Sequence, residues 1–435
     1  MRQGAATASL AETFRAFLTI GLMSFGGPAG QIALMHRMLV EERRWVSEDQ
    51  FLHGLNFCTL LPGPEAMQLA TYIGWLRHGV LGGLIAGVLF VAPGFCVILA
   101  LSMLYAQFES QTWFTALFFG LKAAVLAVVL EALVRVAKKS LRGGWAHAIA
   151  AASFLALFAF RVPFPLVVLA AGIAGWALAG RLAGVSASGT LPAADVPVPG
   201  WHHIVTTLAI WGGLWAALPL AMIALFGAGT VFPALAVFFS KMAVVTFGGA
   251  YAVLAYVAQA AVETYGWLKP GQMIDGLALA ETTPGPLILV LSFVGFLAAY
   301  QAPATLPPLL AGVLGAVMTT WVTFIPCFLW IFLGAPFLER VRHNPALKGA
   351  LAGIGAAVVG VILNLSLWFA LQTLFARVGE VAAGPLRLHW PEWTSLDGQA
   401  AVLTILAMVA LFRLHLGMIP VLGLCAVLGV ALRLI

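Results

Sequence analysis

Charge is scarce in this chain. Only 9% of its 435 residues are Asp, Glu, Lys or Arg, while 62% are hydrophobic and the mean hydropathy is +1.02. Soluble domains carry roughly 25% charged residues, so a soluble globular protein is excluded. The charges that exist sit in short loops beside apolar segments, so the net +6 reports orientation in a bilayer and not affinity for nucleic acid. Cysteine is scarce too. Cys58, Cys96, Cys327 and Cys425 all lie in apolar segments without metal or redox spacing, which excludes a disulfide framework and reads as small buried hydrophobes. No metal site and no cofactor is expected. H-E-x-x-H, G-x-S-x-G and Walker A patterns are missing, so neither hydrolysis nor ATP is expected to drive the protein, and an enzyme is not expected. An A-x-A cleavage site is missing as well: the first apolar segment runs into FGGPAG and a charged loop, which is no signal peptide. Strict apolar–polar alternation is lacking, which excludes a β-barrel.

Long apolar runs are what remains. They fall near 13–36, 51–76, 79–107, 113–135, 145–160 and 164–180, and again near 203–227, 234–258, 273–298, 305–333, 346–375, 399–412 and 416–434. The chain is therefore an all-α polytopic membrane protein. A Gly-, Ala-, Ser- and Pro-rich linker fills about 181–200, and 376–398 is polar enough for an extramembrane loop.

The two groups are copies of each other. Phe25-Gly26-Gly27 recurs as Phe247-Gly248-Gly249, Trp45 as Trp267, Gln50 as Gln272, and Pro62-Gly63-Pro64 as Pro284-Gly285-Pro286. Each pair is 222 residues apart (247 − 25, 267 − 45, 272 − 50, 284 − 62). The expected domains are a first repeat over 1–180, a linker with one inverting helix over 181–233, and a second repeat over 234–435. The loop after the first FGG holds Arg37, Arg43 and Arg44, whereas its counterpart holds only Lys269. Near Lys122 no other basic residue occurs, but the counterpart carries Arg340 and Arg342. Opposite charge in equivalent loops predicts two inverted-topology repeats joined by one extra transmembrane helix, 203–227. Keeping all basic clusters on the cytoplasmic face requires the FGG and PGP segments to be re-entrant hairpins of broken helices. Four hairpins, nine full crossings, an inner N-terminus and an outer C-terminus follow.

The breaks are the candidate site. Backbone groups freed at membrane depth survive only if packed in protein or lining a cavity. Each break hands over to a helix start whose N–H groups and dipole suit an anion: at Gly26, Gly27 and Pro28; at Pro62, Gly63 and Pro64; near Gly248, Gly249 and Ala250; and at Pro284, Gly285 and Pro286. Ser24, Asn56, Thr59, Gln68, Thr71, Thr246, Thr282 and Thr283 add uncharged polar groups around them. Lys241, six residues before Phe247, is either a counter-charge or a side chain that snorkels to an interface. Glu65 and Glu281 are not repeat equivalents. Either caps a helix start, binds a proton, or repels anions during gating. Lys122 and Lys348, 226 apart (348 − 122), read as marks of helix ends at opposite faces.

The FGGPAGQI segment, the loop ending RRWVSEDQF, the LNFCTLLPGPEAMQLATYIG run and GGLIAGVLFVAPGF together resemble the chromate ion transporter family in its long, two-domain form. TFGGAYAVLAYV, YGWL and ALAETTPGPLIL are similar to that family's second domain, with FGGAYA where the first half has FGGPAG. The resemblance implies secondary efflux of chromate across the bacterial inner membrane, giving chromate resistance. Sulfate is the natural competitor, the lipid bilayer the surrounding partner, and a homodimer is left open. A sulfate or molybdate carrier and a non-transporting scaffold are the alternative readings.

Overall fold

The structure is a computed structural model that describes residues 9–179, 200–247, 250–335, 345–384 and 386–434. It is helical almost throughout. Punctuation in the sequence explains the first half's short elements. α1 (Leu10–Met23) starts at Ser9, which forms a capping box with Glu12, and ends where Ser24 leaves helical geometry. α2 (Gly27–His36) starts behind Gly26, held at φ +85°, and carries Pro28 in its first turn. A π-helical turn, Arg37–Glu42, follows. α3 (Glu48–Cys58) opens with a second capping box, Ser47 with Gln50. α4 (Glu65–Phe108) is two helices joined at His78 and Gly79, whose backbone is non-helical. Gly74 then lies so close to Gly82 that a Cβ on either would strike the other's carbonyl, so the short arm folds back on the long one. With about 1.5 Å rise per residue, α1, α2 and α3 span roughly 15–21 Å, short of a hydrocarbon core near 30 Å.

Next come α5 (Thr112–Ser140), α6 (Gly144–Phe158), α7 (Phe164–Ala177) and α8 (Trp201–Phe226). The second half repeats the broken pattern with α9 (Val231–Val245), α10 (Ala250–Gln259), a π turn at Ala260–Thr264, and α11 (Pro270–Thr282). A 3-10 turn, Leu287–Leu289, leads into α12 (Val290–Gln301), and α13 (Pro308–Gly334) and α14 (Pro345–Leu374) follow. The stretch expected to be a plain loop holds a two-stranded antiparallel hairpin, β1 (Val378–Ala383) and β2 (Leu386–Pro391). α15 (Gly398–Phe412) and α16 (Met418–Leu434) end the chain.

Among the described residues five helices are long and apolar enough to cross a membrane: α4, α5, α8, α13 and α14. The sequence suggests nine crossings; the other four, α6, α7, α15 and α16, have 14 to 17 residues. They come as two consecutive pairs, so the sidedness of everything else is the same whether a pair crosses twice or not at all.

The chain divides into two compact units, and each draws on both halves of the sequence. The first comprises 1–104, 192–250 and 279–343; the second comprises 105–191, 251–278 and 344–435. In the first unit α13 packs against α12, α8 and α9. In the second, α14 packs on α5, α6 and α7, and α5 on α15 and α16. Small residues allow the close approach that membrane helices need: Gly175 of α7 meets Gly349 and Gly353 of α14, and Gly120 of α5 meets Gly429 of α16.

Candidate functional site

All four breaks belong to the first unit, and two of them are tied to the other two by main-chain hydrogen bonds. Gly63 N–H donates to the Thr246 carbonyl at 2.7 Å, and Gly285 N–H donates to the Ser24 carbonyl at 2.8 Å. Donors and acceptors obey the sequence offset, since 285 − 63 and 246 − 24 are both 222. The reason is local chemistry. α1 ends at Ser24 and α9 ends at Thr246, each with ψ out of the helical range, so their last carbonyls lack intrahelical partners. Each is satisfied by the tip glycine of the other repeat's PGP turn. Both glycines have positive φ, +120° at Gly63 and +94° at Gly285, a conformation that glycine adopts without strain. Ser24 and Thr246 also match in their hydroxyls, which donate back to Ile20 and Met242 carbonyls, at 2.6 and 2.5 Å.

Two glutamines brace the straps. Gln31 of α2 donates from Nε2 to the Gly285 carbonyl at 2.6 Å and to the Ser24 carbonyl at 3.4 Å. Gln68 of α4 donates to the Pro62 carbonyl at 2.7 Å. Both side chains are fully buried, and Oε1 of each accepts no hydrogen bond from the described residues. A buried acceptor without a donor calls for water or a hydrogen-bearing solute; a bare dianion has no hydrogen to offer.

The other expected site residues fall out differently. Thr59, Thr282 and Thr283 give their hydroxyl protons to the Asn56, Leu279 and Ala280 carbonyls, so these donors are already engaged. Asn56 is exposed, Glu65 half-buried and Glu281 buried at 3% exposure. Gly63 and Pro64 are buried, as are Pro284, Gly285 and Pro286. The helix expected to start at Pro286 does not. Pro286 is extended at ψ 134°, a 3-10 turn of Leu287, Ile288 and Leu289 follows, and α12 begins at Val290. Pro64 is followed by Glu65, whose charge suits a first helical turn; Pro286 is followed by three apolar residues. Gly248 and Gly249 lie outside the described residues, as do Arg340 and Arg342. The start of α2 is open: Gly26 caps it with no side-chain bond, and among the described residues nothing stands within 4 Å of where a Cβ on Gly26 or Gly27 would be. Lys241 is exposed and lines a recess with Trp215, Pro219 and Ser240, none of which belongs to a break.

Sequence reasoning missed Gln31 and Cys327. Gln31 is the sole polar side chain between Pro28 and His36, a signal that was readable. Cys327 stands against the first PGP tip, its Sγ 2.9 Å from a Cβ placed on Gly63; nothing in the sequence connects positions 63 and 327.

The chromate transporter family matches residues 11–176 and again 233–430. This chain belongs to the chromate transporter family. The two matched stretches begin 222 residues apart (233 − 11), the spacing of the motifs and of the straps. A chromate transport protein of Pseudomonas aeruginosa is 35% identical over 379 residues, covering 86% of this chain and 84% of that protein. Another from Cupriavidus metallidurans is 29% identical over 365 residues, covering 82% of each. An uncharacterized transporter of Bacillus subtilis is 27% identical over 165 residues, 93% of its own length but 37% of this chain. No solved structure matches. These relatives carry the names of transport proteins and not of enzymes, and the chain is accordingly a membrane-embedded transporter of that family.

Proposed function

We propose that this protein is a secondary transporter exporting chromate from the bacterial cytoplasm across the inner membrane, and so conferring chromate resistance. The observation that carries the reading is the reciprocal strapping of the four breaks within a chain of the chromate transporter family. Irregular backbone at membrane depth is tolerated where it is buried or lines a cavity, and discontinuous helices of two repeats are where transporters hold their solutes. The open start of α2, with Ser24, Gly26, Gly27 and Pro28, is the first anion contact in this proposal. Asn56, Thr59, Pro62, Gly63, Pro64, Glu65 and Gln68, with Glu281, Thr283, Pro284, Gly285 and Pro286, line the rest of the path in this proposal, to which Gly248 and Gly249, outside the described residues, belong by sequence alone. Sulfate, another tetrahedral dianion, is the expected competitor. Lys241 is retained as a counter-charge only if it acts from the recess it lines; its exposure favours an interface anchor.

The repeats belong to this proposal too, with boundaries 1–180, 181–233 and 234–435 and opposite orientations. Arg77 donates to the Trp45 carbonyl in the loop of Arg43 and Arg44, and Glu109 pairs with Lys269 in the equivalent loop of the second half at 3.7 Å; the opposite charge bias of those two loops supports the inversion. Chromate content decides the direction. Cells making the protein should hold several-fold less chromate than cells without it, at equal external chromate. Equal content or a higher one overturns export.

A further inference from the structure

A cluster of charge that the breaks do not use lies within the second unit. Asp275 of α11 is 4% exposed, in an arm read as membrane-embedded. The Tyr105 hydroxyl donates to its Oδ2 at 2.8 Å, and Lys122 Nζ pairs with its Oδ1 at 3.3 Å. Phe114 and Phe118 hold the Tyr105 ring edge-on, with centroids at 5.6 and 5.4 Å. Opposite is Glu109, whose Oε1 accepts from Gln272 Nε2 at 2.8 Å and pairs with Lys269. These groups line a cleft of about 310 Å³, ample for a small solute and water.

The cleft holds two carboxylates and two ammonium groups, so it is neutral as it stands. A dianion entering it must take a cation from its carboxylate. Lys269 is 77% exposed and Glu109 36%, so water replaces whatever that pair loses. Asp275 has no such recourse. Deprived of Lys122 while buried, its carboxylate keeps only the Tyr105 hydroxyl, and an uncompensated buried charge neutralises instead of persisting. We propose that the Asp275–Lys122 pair is a proton-linked oxyanion site: a doubly charged tetrahedral oxyanion binds Lys122 Nζ as Asp275 takes up one proton. The proton comes from water on binding and returns to it on release, and no other bond changes. The titratable groups facing Asp275 are Tyr105 and Glu109 at the end of α4, Lys122 of α5 and Lys269 ahead of α11. Among these, Asp275 alone is both acidic and shut away from solvent. The repeat explains why sequence comparison of the halves passes over it, since its counterpart at 275 − 222 is His53. The inference rests on reading the chain as an oxyanion transporter.

Calorimetry on the purified full chain, titrated with chromate at pH about 8 in buffers of differing protonation enthalpy, counts the protons. The parent should take up about one proton per chromate bound, a count that needs no variant. Asp275→Asn, neutral already and still able to bond Tyr105, should bind chromate with about none. Lys122→Gln should weaken binding about tenfold or more, the worth of one bond to a charged group. Binding by the parent without proton uptake, or uptake that survives in Asp275→Asn, overturns the site while leaving the transport reading intact. If the parent binds no chromate at all, both readings fall.

Discussion

Gly63 and Gly285 each answer to two constraints, a donated N–H and a left-handed backbone. A side chain at either position therefore meets protein, and the main-chain donor that would face an anion is already in use. The two differ in how crowded they are. A Cβ on Gly63 would stand 2.9 Å from both Cys327 Sγ and Gln68 Nε2, whereas on Gly285 it would stand 3.2 Å from Leu289 Cδ1 and 3.4 Å from the Gly94 Cα. Gly63→Ala should destabilise by about 1–3 kcal/mol, the usual cost of a side chain forced into that backbone region, plus the collision with sulfur. Adding Cys327→Ala should recover part of the loss in Gly63→Ala and none of it in Gly285→Ala. Thermal unfolding in detergent measures all four variants, and equal behaviour of the two glycines would remove Cys327 from the account. At this scale the sequence is legible where a residue type is forced, as at the tip glycines, and silent where partners are remote. Lys122 reads as the mark of a helix end because its apolar neighbours say only that much. Its carboxylate partner, Asp275, is 153 residues away (275 − 122).

Broken helices pose an accounting problem that the straps solve. α1 and α9 each end with a free carbonyl, and each PGP turn presents a free N–H; exchanging them between repeats leaves both satisfied. The half-length arms were readable from FGG and PGP alone, since a glycine pair weakens a helix and Pro-Gly-Pro interrupts one. The exchange itself was not, because main-chain bonds leave no mark on residue type. The start of α12 was misplaced for a related reason: Pro286 permits a helix start without compelling one, and Leu287 adds no charge to favour it. The proposed inversion is tested on these elements. Single cysteines at Arg43 and Lys269, in a background where the native cysteines are replaced, should react with an impermeant maleimide from opposite faces of the membrane. Labelling from one face would overturn the inverted arrangement.

Folded, the molecule does not divide where its sequence does. Each compact unit takes segments from both repeats, so neither repeat is a body in its own right. The helical class and the family were readable in the chain. The units were not, because they depend on which helices of one copy pack with which of the other. Transport is a property of this whole assembly, and its energetics follow from charge. Moving one elementary charge through 100 mV exchanges about 2.3 kcal/mol. A dianion leaving a negative interior alone gains about 4.6 kcal/mol, an equilibrium ratio of more than a thousandfold. If one proton travels with it the net charge is one, and the ratio drops to about fiftyfold. In sealed vesicles with an imposed potential and no pH gradient, chromate should redistribute, and the final ratio counts the charges moved. Redistribution only under a proton or sodium gradient would overturn a potential-driven export.

The exchange of backbone groups between repeats also sets a timetable for synthesis. Ser24 emerges from the ribosome 261 residues before Gly285, and Gly63 emerges 183 residues before Thr246. With elongation at roughly 5–20 residues per second, the first repeat waits about 10–50 s with the Ser24 carbonyl and the Gly63 N–H lacking their main-chain partners. During that interval both must be hydrated or shielded by the insertion machinery. The newborn first repeat is thus the stage most open to membrane proteases, and slow decoding of codons between positions 64 and 285 would lengthen its exposure.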